Sequence, residues 1–350
     1  MFKDPKVWLG LVIMLVLLAF SVRGVEWSLF WSALDKADWR WMALALPLYL
    51  GGYWSRARRV SQILKPIKHV TTSRALPPLV IGFFFNNILP ARLGEFVFAH
   101  LLGKREGISR SASLAAVVIS RIFDGFTILA FFLFGLFAFL SLGGHDAAAP
   151  ITFAGIATTR EDLVNKVYLA GILGTVIFSL VLGACFCLIV WNDFTMNLVD
   201  KMLIVLPPRF SSKGKLALEK FVSGLELLKD PRALVSVFLF NFFPWGLELF
   251  TYYFMAKTFG IDLNLRQCSL IMGMTNLAMI APGGPGGIGP FESSGLLVMA
   301  LYGLEKNVAL AYIVVVHAII LLPINIWGFY FMVRDGISFQ EALSDEKARA

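Results

Sequence analysis

Residues 279–292 read MIAPGGPGGIGPFE, with five glycines, three prolines and a terminal carboxylate, Glu292. Apolar chain flanks the run on both sides, CSLIMGMTNLA before it and SSGLLVMALYGL after it. Backbone groups left unpaired in hydrocarbon cost several kcal/mol each, so irregular chain at membrane depth must be buried in protein or line a polar cavity. Glycine permits a tight reversal, and proline fits the first turn of a returning half-helix, where no donor is required. The run therefore reads as the tip of a re-entrant hairpin, and its free N–H groups as an anion-attracting end.

The rest of the chain supplies the membrane. Of 350 residues, 58% are hydrophobic and only 15% charged, well below the usual share for a soluble domain. Six segments carry the roughly 20 apolar residues that a span needs: about 6–23, 40–56, 112–142, 164–191, 233–257 and 308–333. The first resembles a signal peptide, but the spans that follow favour a retained helix. Two further apolar stretches, 79–102 and 268–302, are broken by Pro and Gly.

Loop charge orients the spans. Arg56, Arg58, Arg59, Lys65, Lys68 and Arg74 follow the second segment without an acid among them, and 104–110 (KREGISR) is basic too. Both face the cytoplasm if 79–102 enters and returns. Residues 192–232 are basic, whereas 143–162 is near neutral and Asp262/Arg266 and Glu305/Lys306 balance. Both termini then lie in the cytoplasm. The net charge of +8 is that of basic loops near anionic lipid, not of a nucleic-acid binder.

The two broken stretches match each other. GFFFNNILPARLGEF (82–96) and GMTNLAMIAPGGPGGIGPFE (273–292) each run Gly, Asn, Pro, Gly, Glu, and Pro90 and Pro282 lie 192 positions apart. The flanking helices repeat at nearly that offset, which gives a first repeat at 40–142 and a second at 233–333, joined by a cytoplasmic amphipathic linker at 192–232. Counting spans inverts one repeat relative to the other, as in many secondary transporters. The expected fold is an all-α polytopic membrane protein, a single membrane domain over 1–350. It has six full transmembrane helices plus two re-entrant helical hairpins in an inverted-topology repeat.

Ionisable residues inside apolar stretches mark the candidate site, because a central charge costs roughly 2.5–3.5 kcal/mol on insertion scales unless it pairs or meets water. They are Arg92 and Glu95 in the first hairpin, Arg121 and Asp124 in the helix after it, Glu248 in the fifth span, Glu292 in the second hairpin and His317 in the last span. Gly286, Gly287 and Gly289 form the second tip. Arg92/Glu95 and Arg121/Asp124 are both spaced i,i+3, so one reading is two local salt bridges that hold the fold. The other is a substrate site in which the arginines hold a lipid phosphate and Glu95 and Glu292 hold a cationic headgroup or a proton. Asn241 shares a helix face with Glu248. His317 follows Arg121 by 196 positions, near the repeat offset. No metal-ligand spacing or cofactor motif is present, and Cys185, Cys187 and Cys268 lie in apolar runs as small hydrophobes.

NNILPARLGEFVFAHLLGKREGISRSASLAAVVISRIFDG together with PGGPGGIGPFE resembles the lysylphosphatidylglycerol synthase transmembrane family, which includes the flippase-type domain of multiple peptide resistance factor and stand-alone relatives. The carriers are Arg92-Leu93-Gly94-Glu95, Arg121 with Asp124, and Gly286 to Glu292. The resemblance implies an inner-membrane protein that moves, or helps modify, a polar lipid. The chain continues only briefly past its last span, so aminoacyl transfer by a soluble domain is not expected of it. The expected function is a polar-lipid flippase or transporter with a membrane phospholipid or other polar lipid as partner and a midplane headgroup site between the hairpins. It needs no cofactor, and proton coupling is open to it. A membrane-embedded transferase, an accessory subunit to a lipid-modifying enzyme, and a transporter of small solutes are the alternatives.

Overall fold

The computed structural model describes residues 5–89, 93–141, 150–153, 156–190, 231–279, 284–339 and 341–342. Among these the chain forms eleven α-helices: α1 Pro5–Val22, α2 Trp27–Asp35, α3 Met42–Leu64, α4 Thr72–Ile88, α5 Gly94–Glu106, α6 Arg110–Ser141, α7 Arg160–Val190, α8 Pro231–Thr258, α9 Leu265–Ala278, α10 Pro290–Leu301 and α11 Lys306–Arg334. A two-stranded ribbon, β1 Pro150–Phe153 with β2 Ile156–Thr159, and a 3₁₀ turn, Pro285–Gly287, complete it. The linker 192–232 and Arg92 fall outside the described residues, except that α8 begins at Pro231.

This is a helical membrane protein. Within α6, Ala112–Ser141 is long and apolar enough to cross a bilayer, as is α11; Leu11–Val22 and Trp27–Asp35 qualify as one pair bent by 83°. That bend and the short α2 were not foreseen from the sequence. A second difference carries more weight. The segment expected at 40–56 continues as helix to Leu64 and buries Arg56 and Arg59. These two are therefore not loop charges, and the orientation argument rests on their exposed neighbours.

The chain reverses where the sequence is broken. α4 and α5 pack on each other across the break at 89–93, and α9 and α10 do so across 279–289. The base of the first hairpin is closed by Arg74 Nη1 to Glu106 Oε2 at 3.5 Å and by Lys68 Nζ donating to the Glu106 carbonyl. At 1.5 Å per residue the arms are roughly 18–26 Å long, shorter than the bilayer core. The base of the first hairpin meets the C-terminal end of α11 through Arg105 Nη1 to Asp335 Oδ2 at 2.8 Å. The base of the second meets the C-terminal end of α6, where Tyr302 and Phe139 rings lie 5.5 Å apart. Since α6 leaves the first hairpin and α11 leaves the second, the two bases sit at opposite ends of those long helices.

Packing around the hairpins comes in matched sets. α3 lies against α8, α6 against α9, and α11 against α4. The last two crossings need a glycine for close approach. A Cβ on Gly273 would stand 2.6 Å from Phe132 of α6, and one on Gly328 would stand 2.4 Å from Phe84 of α4. The buried cluster around Phe132, Tyr252, Phe291 and Tyr312 fills the second half, and smaller clusters centred on Phe85 and Leu102 fill the first.

Candidate functional site

Where α3, α5, α6 and α8 converge, their polar residues share single helix faces. On α3, Arg56 and Arg59 are spaced i,i+3; on α6, Arg121 and Asp124 likewise; on α8, Asn241, Trp245 and Glu248 follow at i, i+4 and i+7. Each set lies on one side of its helix. The four helices bring these faces together as one connected ion cluster.

Asp124 is the hub. Its carboxylate takes Arg59 Nη1 at 2.7 Å and Nη2 at 3.2 Å, Arg121 Nη1 at 3.5 Å and the Trp245 indole N–H at 2.9 Å, and it lies 3.7 Å from Arg56. Arg56 reaches on to Glu248 at 3.2 Å and lies 4.5 Å above the Trp245 ring. Glu248 also accepts from Asn276 Nδ2 at 3.1 Å, near the end of α9. Arg59 bonds the Asn241 amide as well, and Asn241 donates to the Phe123 carbonyl at 2.9 Å and to the Thr127 hydroxyl. At the outer edge Arg121 Nε donates to Glu95 Oε1 at 2.7 Å, in the first turn of α5. Three arginines thus face three carboxylates. Such a cluster is tolerated at depth because each charge has an opposite partner and a hydrogen bond.

Burial is uneven. The side chains of Arg59, Asp124, Arg56 and Glu248 are 3–7% exposed, but Arg121 and Glu95 are 33% and 23% exposed. The cluster has a closed interior and one accessible edge. Asp124, Glu248 and His317 each lie near the middle of their helices, and α6, α8 and α11 are all long.

The second hairpin holds a smaller group. Gly286, Gly287 and Gly289 have φ of 67°, 76° and 97°, a region that side chains disfavour, which is why the tip is built of glycine. Glu292 folds back on its own helix start: Oε2 accepts from the Gly289 N–H at 2.7 Å, as in a capping box. Its other oxygen meets His317 Nδ1 at 2.5 Å, while His317 Nε2 lies 3.0 Å from the Gly286 carbonyl. The imidazole stacks on Phe291 with ring centroids 4.0 Å apart. Both ring nitrogens face oxygen, so one more proton than neutral His with ionised Glu satisfies every contact. The anion-attracting end of α10 is occupied by the chain's own carboxylate. The end of α4 meets the second tip, where the Cβ position of Gly286 stands 3.5 Å from the Asn87 carbonyl, and Asn87 Nδ2 donates to Asn325 Oδ1 of α11 at 2.9 Å.

Glu95, Arg121, Asp124 and Glu248 therefore join one cluster, whereas Gly286, Gly287, Gly289 and Glu292 form another at the second tip. Arg121 and Asp124 do pair within α6, and Glu95 bridges from α5 to that helix; the expected Arg92–Glu95 pair lies outside the described residues.

The profile of the family described as "Lysylphosphatidylglycerol synthase TM region" matches residues 7–328. The chain belongs to this family. It is 26% identical over 327 residues to a Haloferax volcanii protein named Glycosyltransferase AglD, an alignment covering 89% of this chain and 51% of that one. The chain thus spans about half the length of that relative. It is 26% identical over 303 residues to a UPF0104 membrane protein of Methanothermobacter thermautotrophicus, covering 84% and 83%. Another UPF0104 membrane protein, from Pyrococcus horikoshii, is 25% identical and covers 87% and 88%. No solved structure matches the chain.

The stretches that carry the family resemblance fall on the two clusters. Arg56, Arg59, Asn241, Trp245 and Asn276 belong to the first cluster as well, and sequence reasoning assigned the arginines to a loop. One signal was available. Glu248 follows Arg56 by 192 positions, the offset of Pro90 and Pro282, and the two are in contact.

Proposed function

We propose that the chain is a polar-lipid transporter in which α1, α3, α6, α7, α8 and α11 span the membrane. The helix pairs α4–α5 and α9–α10 enter half-way from opposite sides. The two halves are inverted repeats, the termini lie in the cytoplasm, and the membrane is the cell's inner one. The matched packing of α6 on α9 and of α11 on α4 supports the repeat, as does the placement of the hairpin bases at opposite ends of α6 and α11. The helix lengths support the spans: α3, α7 and α8 have 23, 31 and 28 residues, roughly 34–47 Å.

The observation that carries the transport reading is the ion cluster with one accessible edge. Buried charges held only for structure would be closed on all sides; here Arg121 and Glu95 are presented at the rim. A headgroup phosphate competes with Glu95 for Arg121 while the acyl chains stay in the bilayer, and rocking of one half against the other exposes the site to each leaflet in turn. We place proton coupling at the contact between Glu292 of the second hairpin and His317 of α11. Reconstituted protein is expected to move a fluorescently labelled phospholipid between leaflets. Arg121→Ala is expected to slow this at least tenfold while the protein stays folded. Wild-type rates in that variant would remove the rim pair from transport.

The relative named as a glycosyltransferase favours one other reading, in which the chain presents a lipid to a transferase. Product that a separate transferase forms from an activated sugar donor and a lipid acceptor only when this chain is present, without flipping, would select it.

A further inference from the structure

The chain reverses at the end of α11 and starts a new helical turn. Gly336 has φ of 65°; its N–H donates to the Val333 carbonyl at 3.2 Å, and the Ile337 N–H donates to the Met332 carbonyl at 2.9 Å. This pair of bonds ends a helix at a left-handed glycine and turns the next residue back onto the last turn. Ile337 and Met332 do pack in one apolar cluster. Ser338 then caps the new turn: its hydroxyl accepts from the Glu341 N–H at 3.0 Å, and its carbonyl from the Ala342 N–H at 3.0 Å. The course of 335–342 is therefore set by its own residues.

That course lays the segment on the first hairpin. Lys104 and Arg105, both in the last turn of α5, pair with Glu341 at 2.5 Å and with Asp335 at 2.8 Å. The Phe339 ring lies 5.3 Å from that of Phe85 and 6.0 Å from that of Phe84, both edge-on and both on α4. Ala342 is 3% exposed, in the cluster that holds Phe85 of α4, Leu101 of α5 and Phe331 of α11. The segment touches both arms of the hairpin while remaining continuous with α11. It is thus a covalent extension of the second half docked on the first.

The contacts are of a kind that gives way. The side chains of Lys104 and Arg105 are 62% and 37% exposed, and Phe339 is 45% exposed. Ion pairs that water reaches contribute little and are screened by salt. The fold of the helices does not depend on them, whereas the position of the segment does. We propose that 335–342 is an inhibitory strap. Docked, it ties the first hairpin to α11 and holds the two halves in one arrangement; released, it lets the hairpin move against α11. The effect on lipid movement rests on the transport reading, but the docking does not.

The test uses the full chain. Glu341→Lys breaks one ion pair, Phe339→Ala removes the ring contact, and Lys104→Glu combined with Glu341→Lys rebuilds the pair with its charges exchanged. In detergent, hydrogen exchange across α5 is expected to speed up about threefold in Glu341→Lys and in Phe339→Ala, the change that loss of one exposed contact gives. The exchanged pair is expected to return to the wild-type rate. In proteoliposomes the first two variants are expected to move a labelled phospholipid about threefold faster than wild type, and the exchanged pair as fast as wild type. Unaltered hydrogen exchange in the single variants overturns the docking, and an exchanged pair that stays fast overturns the ion pair as its hold. Faster hydrogen exchange with unaltered or slower lipid movement overturns the inhibition. No lipid movement by any of these chains would refute transport, and the inhibitory role with it, while hydrogen exchange still decides the docking.

Discussion

Asp124→Asn tests the ion cluster at its hub. The substitution keeps the size of the side chain, and its amide oxygen still accepts from the Trp245 indole, which now lies 2.9 Å from Oδ1. It removes one negative charge that faces Arg59 at 2.7 Å, Arg121 at 3.5 Å and Arg56 at 3.7 Å. Three arginines would then face only Glu95 and Glu248, and Glu95 sits on the far side of Arg121. An unmatched cation is left on α3 at a position 3% exposed. Breaking a buried pair on one side costs about 3–5 kcal/mol, and the retained indole bond holds the estimate toward the lower end, about 3 kcal/mol. The pair can be isolated from its surroundings. Removing Arg59 at the same time, as Arg59→Leu with Asp124→Asn, restores the balance of two cations to two anions. The double variant is expected to be more stable than the sum of the single losses by about 1–3 kcal/mol, the usual range for groups in direct contact. Stability is read by reversible unfolding in mixed micelles on titration with a denaturing detergent. A loss below about 1 kcal/mol for Asp124→Asn, or strict additivity in the double variant, would refute the claim that this cluster is a single balanced unit.

Three other outcomes follow from the same geometry. Glu292→Gln keeps a group that accepts from Gly289 and meets His317, so folding is expected to hold within about 1–2 kcal/mol; it cannot trade a proton, so the pH dependence of lipid movement in proteoliposomes is expected to flatten, and an unaltered pH profile would exclude this pair from coupling. Gly273→Ala or Gly328→Ala places a methyl within 2.6 or 2.4 Å of a phenylalanine across a helix crossing and is expected to cost about 1–3 kcal/mol, whereas Gly246→Ala, with nothing within 4 Å, is expected to be tolerated in the same unfolding titration. Past α11, Lys104 lies 2.5 Å from Glu341 and holds that carboxyl below the ordinary range, while Arg334 and then Arg105 do the same for Asp335; these lowered carboxylates stabilise the folded segment fully at neutral pH and lose that contribution as pH falls below the ordinary value near 4, so hydrogen exchange at 335–342 is expected to speed up between pH 5 and 3 beyond its intrinsic trend, with Lys104→Ala removing only the part due to Glu341.

The two reversals were legible because their chemistry is local. Only a tip at φ near 67–97° needs Gly286, Gly287 and Gly289 in close succession, and Pro290 at the first turn of α10 marks the return. The family motifs also led to Glu95, Arg121, Asp124 and Glu292. Apart from the i,i+3 pair Arg121–Asp124, their partners were not legible. Arg56 and Arg59 stand in a run of basic residues that composition reads as a loop, and only the continuation of α3 to Leu64, with Asp124 and Glu248 waiting on other helices, makes burial of those charges affordable. Glu95 also bonds Arg121 from 26 positions away, a partner that spacing along the chain does not name. Helix periodicity shows which residues share a face, but not which face of another helix it meets.

On the proposed topology the two hairpins enter the bilayer from opposite sides and return. Single cysteines at His69 and Arg105 flank the first hairpin, and at Asp262 and Glu305 the second, all four being exposed positions. Labelling with a membrane-impermeant thiol reagent in intact cells and in inverted vesicles reads their sides. His69 and Arg105 are expected to react only in inverted vesicles and Asp262 and Glu305 only in intact cells. His69 and Arg105 reacting from different sides would make α4–α5 a crossing, and the opposed hairpins with their shared headgroup site would fall.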